Sequence, residues 1–153
     1  MNICVFCGSA TGKNPVYAEA ARELGRLLGK NSHNLVYGGG NIGLMGILAD
    51  AVIQHQGEVI GVIPDFLLKR EVGHKGISKL EVVPSMHVRK KRMADLAHGF
   101  IAMPGGWGTL EELAEILTWR QLGIIRQPVG LLNINGFFEP LLEQMRLMVN
   151  EGF

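Results

Sequence analysis

The chain has 153 residues, of which 47% are hydrophobic, and its formal net charge at pH 7 is +1. This length fits a single domain over residues 1–153 with a sizeable core, and the near-neutral charge gives no electrostatic reason to expect binding to nucleic acid or a membrane surface. No apolar run approaches the roughly 20 residues that a membrane span needs. The first residues, MNICVF, form a strand-like run without a basic leader, so we expect a cytoplasmic protein.

Short apolar runs alternate with helical patterns along the chain. The strands are predicted at Ile3–Phe6, Asn34–Tyr37, Glu58–Ile63, Leu80–Val83, Gly99–Met103 and Pro128–Asn133. The helices are predicted near residues 16–29, 43–54, 86–97, 109–121 and 137–150. This alternation favours βαβ units and a parallel sheet with both faces covered. We therefore predict an α/β fold, a Rossmann-like doubly wound parallel sheet in three α/β/α layers.

The longest irregular stretch, residues 64–79, is interpreted as a lid or substrate loop. Near the N-terminus, Cys4 and Cys7 have the C-x-x-C spacing of a redox pair or half of a zinc site. Residues an odd number apart on a strand point to opposite faces, and the chain has no second cysteine pair. We therefore expect structural cysteines and no metal site.

Three of the joints between a strand and the next helix are rich in glycine, at residues 7–15, 38–46 and 103–109. In a doubly wound sheet these joints lie at the carboxyl edge, where ligands bind. Glycine lets backbone N–H groups approach an anion, and the following helix adds a favourable dipole. Three such loops on one edge indicate a phosphate-bearing ligand such as a mononucleotide; the alternative for each loop is a tight turn with close helix–strand packing.

The second joint contains Gly38-x-Gly40-x-x-Gly43, which matches the dinucleotide-binding pattern, with Asp65 at about the expected distance. Taken alone, this motif would indicate NAD and an oxidoreductase.

The helix after the third joint begins with T-L-E-E, residues 109–112, a sequence typical of a capping box. The Thr109 hydroxyl would cap the Glu112 N–H, and the Glu112 carboxylate would reach back to the Thr109 N–H. Any chemical role for Glu112 competes with this cap. The apolar stripe of the helix is predicted to contain Leu110, Leu113, Ala114 and Leu117.

The helix predicted at 86–97 places two cations beside its apolar stripe. At about 100° per residue, Arg89 and Lys90 flank the side defined by Met86 and Met93. Burying an unpaired charge is expensive, so we expect Arg89 to have a fixed anionic partner, either a carboxylate or a ligand phosphate. Lys90 fits snorkelling, with its stem buried and its ammonium group in water.

Three motifs together resemble the Lonely Guy (LOG) family of cytokinin-activating nucleoside 5′-monophosphate phosphoribohydrolases, which are often labelled lysine decarboxylases. They are Y-G-G-G-x-x-G-L-M-G from Tyr37, M-H-x-R-K from Met86 and P-G-G-x-G-T-x-x-E from Pro104. The resemblance covers essentially the whole chain. Family members usually continue past the terminal E-G-F with another strand and helix, which are absent from this sequence.

The resemblance implies hydrolysis of the N-glycosidic bond of AMP or an N6-prenylated AMP, without a cofactor or metal. Arg89 and Glu112 would form the catalytic pair, in a homodimer with active sites near the subunit interface. The substrate would be bound by Ser9, Gly39, Gly40, Glu71, Lys90, Gly105, Gly106, Trp107, Gly108, Thr109, Leu110, Glu111 and Thr118.

Alternative functions remain open at this point. A non-catalytic AMP carrier or sensor would share every glycine loop. A pyridoxal phosphate-dependent lysine decarboxylase would need a Schiff-base lysine in a cofactor site. A dinucleotide-dependent oxidoreductase rests on the second loop alone.

Overall fold

A computed structural model of the chain describes residues 1–68 and 73–153, in which strands and helices alternate. The strands are β1 Asn2–Phe6, β2 Asn34–Tyr37, β3 Val59–Pro64, β4 Lys79–Val83, β5 Gly99–Ala102 and β6 Val129–Leu131. The α-helices are α1 Val16–Lys30, α2 Gly43–Gln54, α3 Asp65–Leu68, α4 Met86–Leu96, α5 Trp107–Gln121 and α6 Glu139–Glu151, with a short 3-10 turn at Ile134–Gly136. All predicted strands and helices are confirmed, and their bounds differ from the predicted ones by no more than two residues.

The strands form one parallel sheet in the order β4-β3-β2-β1-β5-β6, which confirms the doubly wound fold. The chain builds outward from β1 in one direction as far as β4 and then returns to place β5 on the other side of β1. Ligands bind such sheets in the crevice beyond the carboxyl ends of the strands at this switch point. The topology therefore places the loops after β1 and β5 side by side at the expected ligand site.

Hydrogen bonds join these two loops directly. Phe6 pairs in register with Ala102, and the Met103 N–H donates to the Phe6 carbonyl at 2.8 Å. The Gly8 N–H then donates to the Pro104 carbonyl at 3.1 Å. The two glycine-rich segments consequently leave the sheet as neighbours, in fixed register.

The two faces of the sheet bury separate cores, because successive side chains of a strand point in opposite directions. Cys4 and Phe6 of β1 pack with Met93 of α4 on one face. Val5 and Cys7 pack on the other face with buried side chains of α1 and α2, including Ala21, Leu28, Leu44, Leu48 and Val52. Both cysteines are free and buried, and the described residues contain no cluster of ligands that could hold a metal ion. The prediction that Cys4 and Cys7 point to opposite faces of the sheet is confirmed, since each belongs to a different core.

The stretch from 64 to 79 is less irregular than predicted at its two ends. It begins with the last residue of β3 and the single turn of α3, and it ends in β4. Gly73 forms an antiparallel bridge with Gly40, and the His74 N–H donates to the Gly39 carbonyl at 3.0 Å. This segment therefore returns to the second glycine-rich loop. Glu71, predicted to contact substrate, lies outside the described residues, and the lid interpretation stays a prediction.

The capping box predicted for α5 is wrong, because the helix begins two residues earlier. Its first residue is Trp107, and Gly106 is the N-cap with an extended backbone (φ −97°, ψ −154°) and no side-chain cap. Thr109 is thus the third residue of the helix, and its side chain is buried rather than aimed at an amide of the first turn. A glycine N-cap satisfies the geometry without a side-chain oxygen, at a cost of only a few tenths of a kcal/mol relative to the best caps.

The buried stripe of α5 also differs from the predicted one. Thr109, Leu113 and Ile116 are buried, at the i, i+4 and i+7 spacing of one helix face. Leu110 and Leu117 are partly buried at the edge of this face, whereas Ala114 is exposed. The earlier helix start makes Thr109 part of the face that lies against the sheet.

Along the described part of the chain, the helices are too short or too polar to cross a membrane.

Candidate active site

Two adjoining clefts lie at the carboxyl edge of the sheet. The first, which we call the Arg–Glu cleft, has a volume of about 180 Å³ and is lined by residues that include Cys7, Gly38, Met45, Arg89, Thr109 and Glu112. The second, the switch-point cleft, has a volume of about 230 Å³ and lies between the loop after β1 and the loop after β5. Ser9 and Gly106 line both clefts. A ligand bound over the start of α5 would therefore have access to both.

Arg89 is fixed at the base of the Arg–Glu cleft by main-chain carbonyls. Its Nε donates to the carbonyl of Val62 in β3 at 3.1 Å, and its Nη2 donates to the carbonyl of Gly38 after β2 at 3.3 Å. Nη1 also contacts Sδ of Met86 at 3.7 Å. The residue is only 6% exposed, so these carbonyls supply the polar partners that a buried guanidinium requires.

Glu112 lies opposite Arg89 across the cleft. Nη2 of Arg89 is 3.8 Å from Oε1 of Glu112, and the two side chains are 7% and 11% exposed. This separation is within ion-pair range but too long for a hydrogen bond. The prediction that Arg89 has a fixed anionic partner is thus confirmed for a carboxylate, although the closest contacts of the guanidinium are carbonyls. Because α4 carries Arg89 and α5 carries Glu112, two helices on the same face of the sheet bring this pair together.

The first turn of α5 presents backbone amides to the same cleft. The Leu110 N–H donates to the Gly106 carbonyl at 3.1 Å and so begins the helical hydrogen-bond ladder. The N–H groups of Trp107, Gly108 and Thr109 precede that ladder, and groups in these positions have no partner within their own helix. Together with the helix dipole, they form the kind of site that binds phosphate.

The glycines of this loop serve different purposes. A Cβ on Gly105 would overlap with Oγ1 of Thr109 and would lie 2.9 Å from the Gly8 N atom, so Gly105 is required for packing. A Cβ on Gly106 or Gly108 would meet no atom of the described residues within 4 Å beyond its chain neighbours and the nearby helix backbone. The lack of a side chain at Gly106 and Gly108 therefore leaves space over the amides. The space beside Gly105, in contrast, is filled by Thr109 and Gly8.

Lys90 is paired with two carboxylates, so the prediction that its ammonium group extends into water is wrong. It is 9% exposed; its Nζ contacts Oε1 of Glu111 and lies 3.3 Å from Oε1 of Glu115. Burial acts most strongly on this group and lowers its pKa, but the hydrogen bonds to Glu111 and Glu115 outweigh it and raise the pKa overall. Lys90 is therefore held as a cation that braces α4 against α5.

The thiol of Cys7 contributes an uncharged surface to the Arg–Glu cleft. Burial raises the pKa of Cys7, and the nearby charge of Glu112 raises it further. The pKa of Cys4, behind it in the core, is raised for the same two reasons in the same order. Neither group is a thiolate at neutral pH, so neither has the character of a nucleophile.

The structure gathers most of the predicted site residues and separates the others from the clefts. Arg89, Glu112, Ser9, Gly105, Gly106, Trp107, Gly108 and Thr109 line one or both clefts. Leu110 packs toward the core around Phe138, and Glu111 is occupied with Lys90. Thr118 is exposed, and its hydroxyl donates to the Ala114 carbonyl at 2.8 Å.

Gly39 and Gly40 lie beneath the site and not in the cleft walls. A Cβ on Gly39 would lie 3.2 Å from Cβ of Ile63, and its positive φ of 77° favours glycine. The third glycine of the dinucleotide motif, Gly43, touches the backbone of Ser9 and Ala10. Gly39 and Gly43 of the second loop are thus required for close packing, as the alternative for a single loop proposed.

Sequence reasoning missed Gly38, which both lines the Arg–Glu cleft and accepts a hydrogen bond from Arg89. It also missed Cys7 and Met45 in the cleft wall. In the sequence, Gly38 stands out as the first residue of a run of three glycines and of the dinucleotide-binding pattern. Neither pattern indicates which glycine approaches a side chain from a helix 51 residues away.

Residues 45–153 match the family described as possible lysine decarboxylase. The residues of the site do not fit the pyridoxal phosphate chemistry that this description suggests. Among the described residues no lysine lines either cleft, and the nearby Lys90 is held in its charged form, whereas a Schiff-base lysine must lose its proton to react.

Two plant proteins are similar to nearly the whole chain. The cytokinin riboside 5′-monophosphate phosphoribohydrolase LOG of Oryza sativa subsp. japonica is 52% identical over 151 residues, which are 99% of this chain and 62% of the rice protein. The enzyme of the same name designated LOG7, from Arabidopsis thaliana, is also 52% identical, over 99% of this chain and 70% of its own length. The chain thus spans about two thirds of the length of these curated relatives.

Among solved structures, the Moco carrier protein of Chlamydomonas reinhardtii has the same fold, with a TM-score of 0.74 and 22% sequence identity over 99% of this chain and 85% of its own. That likeness concerns the fold alone. The family is established by the 52% identity to the two plant proteins along nearly the full chain. Together with the family match over residues 45–153, this identity shows that the chain belongs to the LOG family of cytokinin riboside 5′-monophosphate phosphoribohydrolases.

Proposed function

We propose that the protein hydrolyses the N-glycosidic bond of AMP or an N6-prenylated AMP, releasing the free base and ribose 5-phosphate. The observation that carries this proposal is the convergence of Arg89, Glu112 and the amides of residues 107–109 on a single cleft. The similarity to the two plant phosphoribohydrolases supports the same class of reaction.

The 5′-phosphate binds at the start of α5. There the amides of Trp107, Gly108 and Thr109 and the positive end of the helix dipole favour an anion. Ser9, which is exposed and lines both clefts, adds a hydroxyl donor beside them. This part of the substrate does not react, so its binding energy serves to place the sugar.

The ribose then lies over Glu112, which follows the phosphate-binding amides by about one helical turn, or about 5 Å along the axis. As the bond between the anomeric carbon and the base nitrogen breaks, positive charge develops on the sugar. The Glu112 carboxylate stabilises this charge and accepts a proton from the attacking water. The water oxygen forms the new bond to the anomeric carbon, and the base departs with the bonding electron pair and acquires a proton.

Arg89 supports this step as a neighbouring cation. A guanidinium near a carboxylate favours the ionised form of that carboxylate, which is the form that acts as a base. Because Arg89 is held by backbone carbonyls, its charge is in place before substrate arrives, and no reorganisation is needed during the reaction. Lys90 contributes more remotely, by neutralising Glu111 at the edge of the phosphate site.

The proposal includes a homodimer, the assembly expected from the family resemblance. Exposed apolar side chains support it: Leu122 and Ile124, which follow α5, are 67% and 63% exposed, and Val149 of α6 is 73% exposed. Light scattering coupled to size-exclusion chromatography tests this point, and a monomer at micromolar concentration would contradict it. The cytoplasmic location stays a prediction.

The decisive experiment is chromatography of AMP and isopentenyl-AMP after incubation with the protein. We expect adenine or isopentenyladenine together with ribose 5-phosphate in equal amounts, and no products with Glu112→Gln. Nucleotide that binds, as measured by calorimetry, but is never cleaved would overturn the proposal and favour the carrier or sensor alternative. The ratio of kcat/KM for the two nucleotides identifies the preferred substrate.

A further inference from the structure

Gly38 stands in unusually close contact with the catalytic arginine. It follows Tyr37, the last residue of β2, and its carbonyl accepts a hydrogen bond from Nη2 of Arg89 at 3.3 Å. A Cβ at this position would overlap with Nη2 and would lie 3.1 Å from Cζ of Arg89 and 3.4 Å from Sδ of Met45. The space that a side chain would occupy is therefore filled by the guanidinium itself.

Backbone conformation does not explain the glycine. Gly38 is absent from the glycines with positive φ in the described chain, unlike its neighbour Gly39 (φ 77°). Alanine could therefore adopt the backbone angles of Gly38 without strain. The requirement at this position is one of space, and the group that needs the space is the side chain of Arg89.

A second carbonyl completes the support. Nε of Arg89 donates to Val62 in β3, the strand next to β2. A guanidinium is planar and carries its N–H groups in a rigid fork, so two carbonyls fixed in neighbouring strands determine where the whole group lies. With Nε and Nη2 fixed in this way, Nη2 is set at 3.8 Å from Oε1 of Glu112.

We infer that Gly38 is a positioning residue for the reaction: its missing side chain admits the Arg89 guanidinium to the base of the cleft, and its carbonyl holds that group at the distance from Glu112 that the chemistry needs. This inference rests on the proposed hydrolysis. It assigns to Gly38 a role that is exerted through Arg89.

The test is Gly38→Ala, with Gly130→Ala as the matched control. Gly130 lies in β6, outside both clefts, and among the described residues a Cβ there would meet only the Phe100 carbonyl, at 3.9 Å. In Gly38→Ala the guanidinium must move away. We expect kcat for AMP to fall by a factor on the order of 100, the loss typical when one preorganised electrostatic group is misplaced, while KM changes less than threefold. Gly130→Ala should retain both parameters.

The pH profile gives a readout that a purely structural role would not change. With the guanidinium displaced, less positive charge favours the ionised form of Glu112. The acid limb of the kcat profile in Gly38→Ala should therefore lie at higher pH than in the parent protein. An unshifted acid limb, or a parent-like kcat, would overturn the inference.

A double-mutant cycle with Arg89→Ala tests the same inference without substrate. Gly38→Ala should lower the melting temperature of the parent protein but not that of Arg89→Ala, because the side chain that clashes is then gone. An equal decrease in both backgrounds would show that Gly38 acts through another neighbour, such as Met45, and would overturn the inference. If the parent protein cleaves neither AMP nor isopentenyl-AMP, the proposed function fails, and the melting cycle still decides whether Gly38 sets the position of Arg89.

Discussion

The Arg89 guanidinium lies closer to two backbone carbonyls than to the Glu112 carboxylate. Its contacts to Val62 and Gly38 measure 3.1 and 3.3 Å, whereas Nη2 is 3.8 Å from Oε1 of Glu112. The cation is thus positioned by the ends of the strands rather than by its ion-pair partner. Substitutions of Arg89 and of Glu112 are therefore expected to have different consequences for stability and activity.

Replacing Glu112 by glutamine should abolish base release and leave the fold intact. The carboxylate supplies the acid–base step, typically worth about 10²- to 10⁴-fold in rate, and it has no capping role, because Gly106 is the N-cap of α5. Arg89 keeps both carbonyl contacts in this variant, so the melting temperature should change by only a few degrees. Product chromatography and thermal melting provide the measurements. Glu143→Gln, in an exposed position of α6, is the control; loss of activity there, or full activity in Glu112→Gln, would contradict the assignment.

Replacing Arg89 by lysine should be almost as damaging as replacing it by alanine. A single ammonium group cannot reproduce the planar fork that contacts Val62 and Gly38 while facing Glu112. We expect kcat to fall at least about 100-fold, together with a lower melting temperature, since both carbonyls lose their donor in a buried place. Arg92→Lys on the same helix, with its side chain 40% exposed, should retain activity. A fully active Arg89→Lys would show that charge alone, without placement, is sufficient.

Substituting the glycines of the loop before α5 should separate packing from ligand binding. In Gly108→Ala the new methyl group meets no other side chain of the described residues within 4 Å, and alanine is favoured over glycine in a helix by about 0.5–1 kcal/mol. The melting temperature should therefore rise, while KM for AMP rises too, because the methyl group stands over the phosphate-binding amides.

Gly105→Ala, in contrast, should lower the melting temperature. The added Cβ would lie 2.7 Å from Cβ of Thr109 and 2.9 Å from the Gly8 N atom, and overpacking of this kind costs about 1–3 kcal/mol. Thermal melting and steady-state kinetics on both variants test the contrast. An unchanged KM in Gly108→Ala would remove the argument that this glycine is kept open for a phosphate.

An ion pair on the outer edge of the sheet should make stability depend on pH in the acid range. Hydrogen bonds from Arg92 and then Lys79 lower the pKa of Glu81 from an ordinary value of 4.5 to about 2. Arg92 of α4 contacts this carboxylate through Nε at 2.7 Å and Nη2 at 3.0 Å. A carboxyl with a lowered pKa stabilises the fold fully above its unfolded value and loses that effect as the pH falls toward the folded one.

We therefore expect the free energy of unfolding of Glu81→Gln to be lower than that of the parent at pH 6. The difference should be at most about 1 kcal/mol, because the arginine is partly in solvent, and it should shrink between pH 4.5 and pH 2.5. Urea titrations across this range measure it. A difference that stays constant with pH would mean that the pair does not set the pKa of Glu81.

Local patterns in the sequence were sufficient for the secondary structure and for the placement of the glycine loops. The alternation of apolar runs and helical stripes predicted the strands that the structure describes, and the position of Arg89 beside the stripe of α4 predicted that this cation needs a fixed anionic partner. These inferences succeed because burial follows periods of two and 3.6 residues, which are readable within a single segment.

The partners themselves depended on tertiary contacts. The sequence favoured a cap for Thr109, but its side chain packs on Gly105 instead, and the helix starts at a glycine. It left Lys90 in water, where the structure pairs it with carboxylates of α5. For Lys90, contacts between α4 and α5 prevailed over the local preference. For Thr109, burial of the side chain prevailed over the preference for a cap.

The amino-acid sequence by itself determined an α/β chain with phosphate-type loops and an acidic residue one turn beyond one of them. Only the tertiary structure decided that β5 returns beside β1, so that α4 and α5 bring Arg89 to Glu112, and that Gly38 is the glycine that makes room for the guanidinium. The physical reason is that helix and strand periodicity are local properties. Which strand ends become neighbours, and which side chain fills the space beside a glycine, are set by the packing of residues far apart in the chain.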